Sequence, residues 1–103
     1  MTDAANVAKT LSDRERTHGN FAKYSEISLR LCDVMWCASN YRKLTVFQRE
    51  ALAMIQAKIA RILEGDPNHA DHWHDVAGYA MLAEREMRYE QERLAARATN
   101  DRS

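Results

Sequence analysis

Chain breakers are scarce in this sequence: three glycines and one proline, Gly19, Gly65, Gly78 and Pro67, in 103 residues. Few positions support tight hairpins, and no stretch alternates apolar and polar residues as a half-buried strand does. Alanine, leucine, methionine, glutamate and arginine dominate, all good helix formers. The chain therefore reads as a single all-α domain over 1–103, with an ordered core over about 4–95 and a tail over 96–103 expected to fray. The expected architecture is a three- or four-helix bundle with a long C-terminal helix.

Punctuation divides the bundle. A first helix is expected from about Ala4 to Arg16, stopping at Thr17-His18-Gly19. Gly19 is a candidate left-handed stop and Asn20 a cap for the next helix. The second helix runs from about Phe21 to Ala38, with Tyr24, Ile27, Leu31 and Val34 or Met35 recurring at three and four. A polar link, Ser39 to Leu44, follows. Thr45 with Gln48 is a capping-box pair that opens a third helix to Glu64. Gly65-Asp66-Pro67-Asn68 is a strong stop, and a fourth helix begins near His69 or Ala70. Beyond Met87 its apolar stripe thins into Glu90, Glu92 and Arg93, as in a solvated extension or a helix that packs on a partner subunit.

Lys58 is the anomaly in the third helix. It falls inside the stripe defined by Phe47, Ala51, Ile55, Ile59 and Ile62, and an unpaired buried ammonium costs several kcal/mol. Its expected partners are Asp71 and Asp75, one turn apart on the fourth helix. Glu50, Met54, Ala57 and Arg61 share an edge beside it. If the two helices pack antiparallel, these groups meet, and two readings follow. In one, Lys58 and Arg61 pair with Asp71 and Asp75 only to tie the helices together. In the other, Glu50, Asp71 and Asp75 hold a magnesium ion, and Lys58 and Arg61 hold a phosphate chain.

The remaining dense patch is Arg14-Glu15-Arg16-Thr17-His18-Gly19-Asn20-Phe21. It reads either as a helix stop with Phe21 as an apolar plug, or as a loop over a substrate site where Arg14 and His18 meet a phosphate or base. A histidine metal site is confined to His69 and His72, since His72 and His74 point about 160° apart on a helix. Trp36 and Trp73 read as core or subunit-interface anchors. Cys32 and Cys37 lack redox or zinc spacing and read as small core or boundary residues in a reducing cytosol.

Fifteen basic residues balance fifteen acidic ones, which argues against bulk binding of nucleic acid or an anionic membrane. No signal peptide or membrane span is visible. Apolar residues beyond one stripe on the second and fourth helices (Leu29, Met35 and Trp36; Met81 and Leu82) point to a homodimer.

The order Arg14-x-x-x-His18-Gly19-x-Phe21, then Glu50 with Lys58-Ile59-Ala60-Arg61-Ile62, then Asp71-His72-Trp73-x-Asp75-x-Ala77-Gly78-Tyr79, resembles small phage and prophage proteins of unassigned function. These look like distant relatives of the MazG-like all-α nucleoside triphosphate pyrophosphohydrolases. The resemblance implies a magnesium-dependent hydrolase acting on NTPs or dNTPs in a bacterial host cytoplasm. Glu50 and Asp75 would be catalytic, Glu50, Asp71 and Asp75 the metal ligands, and Lys58, Arg61, His18 and Arg14 the substrate-binding residues. The sequence departs from that pattern: Arg49, Ala53, Met54 and His72 stand where the Glu-Glu-x-x-Glu and Glu-x-x-Asp runs place carboxylates or their neighbours. A degraded enzyme, a nucleotide binder without turnover, and a non-catalytic phage protein that modulates a host or defence protein all fit those departures.

Overall fold

The computed structural model describes residues 2–102, with the side chains of Thr2 and Arg102 left aside. Four helices account for almost all of it: α1 (Thr2–His18), α2 (Phe21–Trp36), α3 (Val46–Glu64) and α4 (Ala70–Arg102), with a 3₁₀ turn at Tyr41–Lys43 between α2 and α3. The described residues contain no strand. None of these helices is long and apolar enough to cross a membrane.

The helix ends lie where the side chains predict. Asn20 accepts from the Lys23 amide at 3.1 Å to cap α2. Thr45 and Gln48 form the reciprocal capping box of α3 at 3.3 and 3.0 Å. Each satisfies amides that the first helical turn leaves without partners. The polar link before α3 is more ordered than expected. Arg49 reaches back to the Arg42 carbonyl at 3.0 Å and lies over the Tyr41 ring, pinning the 3₁₀ turn. Arg49 therefore has a structural task. At the far end, α4 remains helical from Ala96 to Arg102, where fraying was expected.

The helix α3 is central, with α4 packed along one side, α2 along another and α1 touching only its end. Among the described residues, the buried apolar side chains are Ala51 and Ala60. Small side chains at these positions let neighbouring helices approach closely. Gln56 is also buried, and its Oε1 accepts from the Ser28 hydroxyl of α2 at 3.0 Å. Of the two positions expected for Trp36 and Trp73, core or subunit interface, neither is in the core of the single chain: both are exposed, the latter donating from Nε1 to the Pro67 carbonyl at 2.8 Å. Cys37 is also exposed and Cys32 half-buried, both as free thiols.

The α1–α2 corner docks on the C-terminal end of α3 through two glycines. Gly19 has φ +81°, the left-handed conformation that favours glycine. A Cβ there would lie 2.7 Å from the Glu64 carbonyl carbon, and a Cβ on Gly65 would lie 2.4 Å from the Thr17 carbonyl oxygen. Backbone meets backbone with no room for a side chain. The Thr17 carbonyl accepts from the Asp66 amide at 3.1 Å and from His72 Nε2 at 3.0 Å. One carbonyl thereby ties α1, the α3–α4 turn and the first turn of α4 together.

Candidate functional site

Two groups of polar side chains emerge from this packing. The first is the ion pair foreseen for α3. Lys58 Nζ lies 2.9 Å from Asp75 Oδ2, with the lysine side chain only 18% exposed and the aspartate 40%. The hydrogen bond from Lys58 holds the Asp75 carboxyl below its ordinary value of 3.8, against a smaller desolvation effect in the other direction. A carboxylate whose pKa is lowered by folding contributes stability above its unfolded value and loses it as pH falls through the folded value. Acid unfolding below about pH 4 should therefore be steeper for the wild type than for Asp75→Asn. Circular dichroism across an acid titration reads this directly, and superimposable profiles would exclude the pair as a pH-dependent stabiliser.

Asp71 does not join that pair. It is exposed, and its nearest charge partner is His69 at 3.9 Å. Glu50 is exposed on the same helix as Lys58, in a groove where Val46, Phe47 and Ala51 face Tyr79, Leu82, Ala83 and Glu86. Eight residues separate Glu50 from Lys58, so it lies about two helical turns, ~12 Å, along the axis. Asp71 is displaced a further turn the opposite way. Among the described residues no three histidine, cysteine or acidic side chains form a group able to hold a metal ion. The expected convergence of Glu50, Asp71 and Asp75 is not met within one chain, because antiparallel packing puts them at three different levels of the α3–α4 pair.

The second group is at the corner. Leu11, Arg14, Glu15 and His18 lie at the i, i+3, i+4, i+7 spacing that makes one helix face. With Gly19, Phe21, Tyr24 and Arg61 they line a cleft of about 260 Å³. Three of the sequence-predicted binding residues, Arg14, His18 and Arg61, are thus brought together, whereas Lys58 sits apart with Asp75. Phe21 is 73% exposed at the cleft edge rather than an apolar plug. The Arg61 guanidinium lies over the Tyr24 ring, 4.4 Å from its centroid. Among the described residues neither Arg14 nor Arg61 has a carboxylate within ion-pair distance, while Asp13 is taken by Arg16.

The Thr17 hydroxyl lies 2.6 Å from His18 Nδ1 and 3.2 Å from the Arg14 carbonyl, to which it donates. Burial holds His18 below its ordinary 6.5, helped by His72, Arg61 and Arg14 and opposed by a hydrogen bond to the Arg14 backbone. Behind it stand His72, fully buried, and His69, with ring centroids 4.8 and 5.9 Å from His18 and 4.6 Å from each other. The meeting of His18 with these two, and the part played by Tyr24, were not foreseen. The helical spacing from Leu11 to His18 was a signal for the cleft's first wall; nothing local linked it to α4.

The chain belongs to the family described as a domain of unknown function (DUF6378), which matches residues 1–87. No curated protein and no solved structure matches it.

Proposed function

We propose that this protein binds a phosphate-bearing nucleotide in the corner cleft, with Arg14 and Arg61 on the phosphate and the Phe21 edge open to the base. The observation that carries this reading is the pair of guanidiniums without carboxylate partners, on α1 and α3, converging with His18 on one concavity. Arginine presents a planar fork of donors that suits phosphate, and charge-assisted hydrogen bonds are about twice as strong as neutral ones. Glu15 at the rim opposes the charge without neutralising both arginines. The cleft is slightly smaller than the ~300–1,000 Å³ of typical ligand sites. It suits a phosphate group and part of its nucleoside, with the rest outside against Phe21.

Hydrolysis is the finer reading that the MazG-like resemblance implies. Glu50, Asp71 and Asp75 as placed in one chain do not fit a shared magnesium ion, so we carry the reading as far as binding.

Titration calorimetry with dNTPs, nucleoside monophosphates and inorganic phosphate tests it. Arg61→Ala should weaken nucleotide binding by about tenfold or more, since one hydrogen bond to a charged group contributes about 1.5–3 kcal/mol. Wild-type affinity in both Arg61→Ala and Arg14→Ala would rule the cleft out as the binding site. Magnesium-dependent release of monophosphate, abolished in Asp75→Ala, would restore the hydrolase.

Binding should also take up protons. The groups around His18 are Arg14 and Glu15 on α1, Arg61 on α3, and His69 and His72 at the start of α4. An anion among them offsets the cationic neighbours and raises the His18 pKa. Affinity should accordingly increase as pH falls through the ordinary histidine value near 6.5 toward the lower value of the free protein. Calorimetry in two buffers of different ionisation enthalpy reports the uptake, which His18→Ala should lose.

A further inference from the structure

The monomer is far too extended for its size. Its radius of gyration is 19.1 Å and its extents are 71 × 30 × 26 Å, against about 13 Å for a compact chain of this length. Its accessible surface is 8133 Å² for 11.9 kDa, where size scaling gives about 6,000 Å². About 2,000 Å² per chain is left uncovered. Doubled, that is ~4,000 Å², within the 2,000–5,000 Å² of obligate homodimer interfaces.

Much of this surface is on α4. The helix is 33 residues long, about 50 Å, and α3 runs alongside only its first half. The family match ends at residue 87, yet α4 continues, and every residue from Arg88 to Asp101 is exposed. A lone helix of that length is marginal in water. One stripe links the packed half to the overhang at seven-residue intervals: Trp73, Ala80, Met87 and Leu94. Trp73, Met87 and Leu94 are 56, 40 and 54% exposed. An apolar residue recurring every seven positions stays on one side of a helix, where a second helix can cover it.

We infer that two copies of this chain pair through the α4 stripe, antiparallel about a two-fold axis near Met87. That axis sets Leu94 of each chain at the level of Ala80 on the other, large against small, as interdigitating helix layers require. Each overhang then lies along the partner's packed half, so Ala80, Met87 and Leu94 are covered by one self-complementary contact. The second copy is favoured over a foreign partner because the stripe supplies its own complement.

Sedimentation velocity on the full chain tests this. Wild type should run at twice 11.9 kDa at micromolar concentration. Leu94→Lys and Ala80→Lys alter residues exposed in the single chain, so each should preserve the helical signal of the folded body while raising the dimer dissociation constant at least about tenfold. Ala96→Lys, about 160° round the same helix, should leave it unchanged. A wild type at single-chain mass up to hundreds of micromolar overturns the inference, whatever else the chain captures. A dimer whose dissociation constant is the same in both stripe variants overturns the assignment to this face.

Discussion

Gly65→Ala will lower the thermal midpoint by about 10 °C or more. The added methyl would meet the Thr17 carbonyl oxygen at 2.4 Å and the His18 carbonyl carbon at 2.7 Å. Both are backbone atoms of a corner that cannot shift without breaking the hydrogen bonds to Asp66 and His72. Overpacking costs about 1–3 kcal/mol even where side chains can yield, and about 3 kcal/mol is expected here because the backbone must move. In a domain of this size each kcal/mol is worth roughly 4–8 °C. Gly65 has φ −99°, outside the left-handed region, so the cost is one of space. Gly19→Ala adds the strain of a positive φ to a comparable clash and should be at least as damaging. Differential scanning calorimetry measures both. A Gly65→Ala protein melting within about 2 °C of wild type would mean that the corner does not dock on α3 as described.

His72→Ala should also cost about 3 kcal/mol. His72 is 1% exposed, the largest fully buried side chain among the described residues, and its Nε2–H donates to the Thr17 carbonyl. Alanine removes the buried volume and the hydrogen bond together, and large-to-small changes at such sites cost about 2–5 kcal/mol. His72→Leu, close in volume, loses the hydrogen bond alone, about 1 kcal/mol, because the Asp66 amide still satisfies the carbonyl. Urea denaturation of the three proteins separates the two contributions; equal loss in both variants would assign the whole effect to the polar contact. Since His72 holds α1 against α4, His72→Ala should also loosen the Arg14–His18 wall of the cleft and weaken nucleotide binding, though it lines no part of it.

The sites differ in how far the sequence reveals them. Lys58 inside an apolar stripe announced a carboxylate partner, and Asp75 is that partner, because a cation amid apolar neighbours demands one wherever the chain runs. Choosing between Asp71 and Asp75 required the register of α3 against α4, which no local pattern encodes. The same register separates Glu50, Asp71 and Asp75, which share an edge on helical wheels but occupy different levels along the axis. The cleft was half legible: Arg14 and His18 share a face by spacing, but Arg61 and Tyr24 join them only because α1 turns at Gly19 onto the end of α3.

Helix formation and helix ends were determined by sequence alone. Propensity, the Thr45–Gln48 box, the Asn20 cap and the two glycine stops act over a few residues, and local hydrogen bonds decide them. Tertiary structure alone decided which charges meet and which apolar residues are left outside. Those outcomes depend on distances between residues dozens of positions apart, such as Thr17 and His72, and two wheels with the same stripe can meet at any level. The physical reason is range: capping and periodicity act within about a turn or two, whereas the corner, the cleft and the uncovered α4 stripe follow from the one packing that lets backbone approach backbone at Gly19 and Gly65.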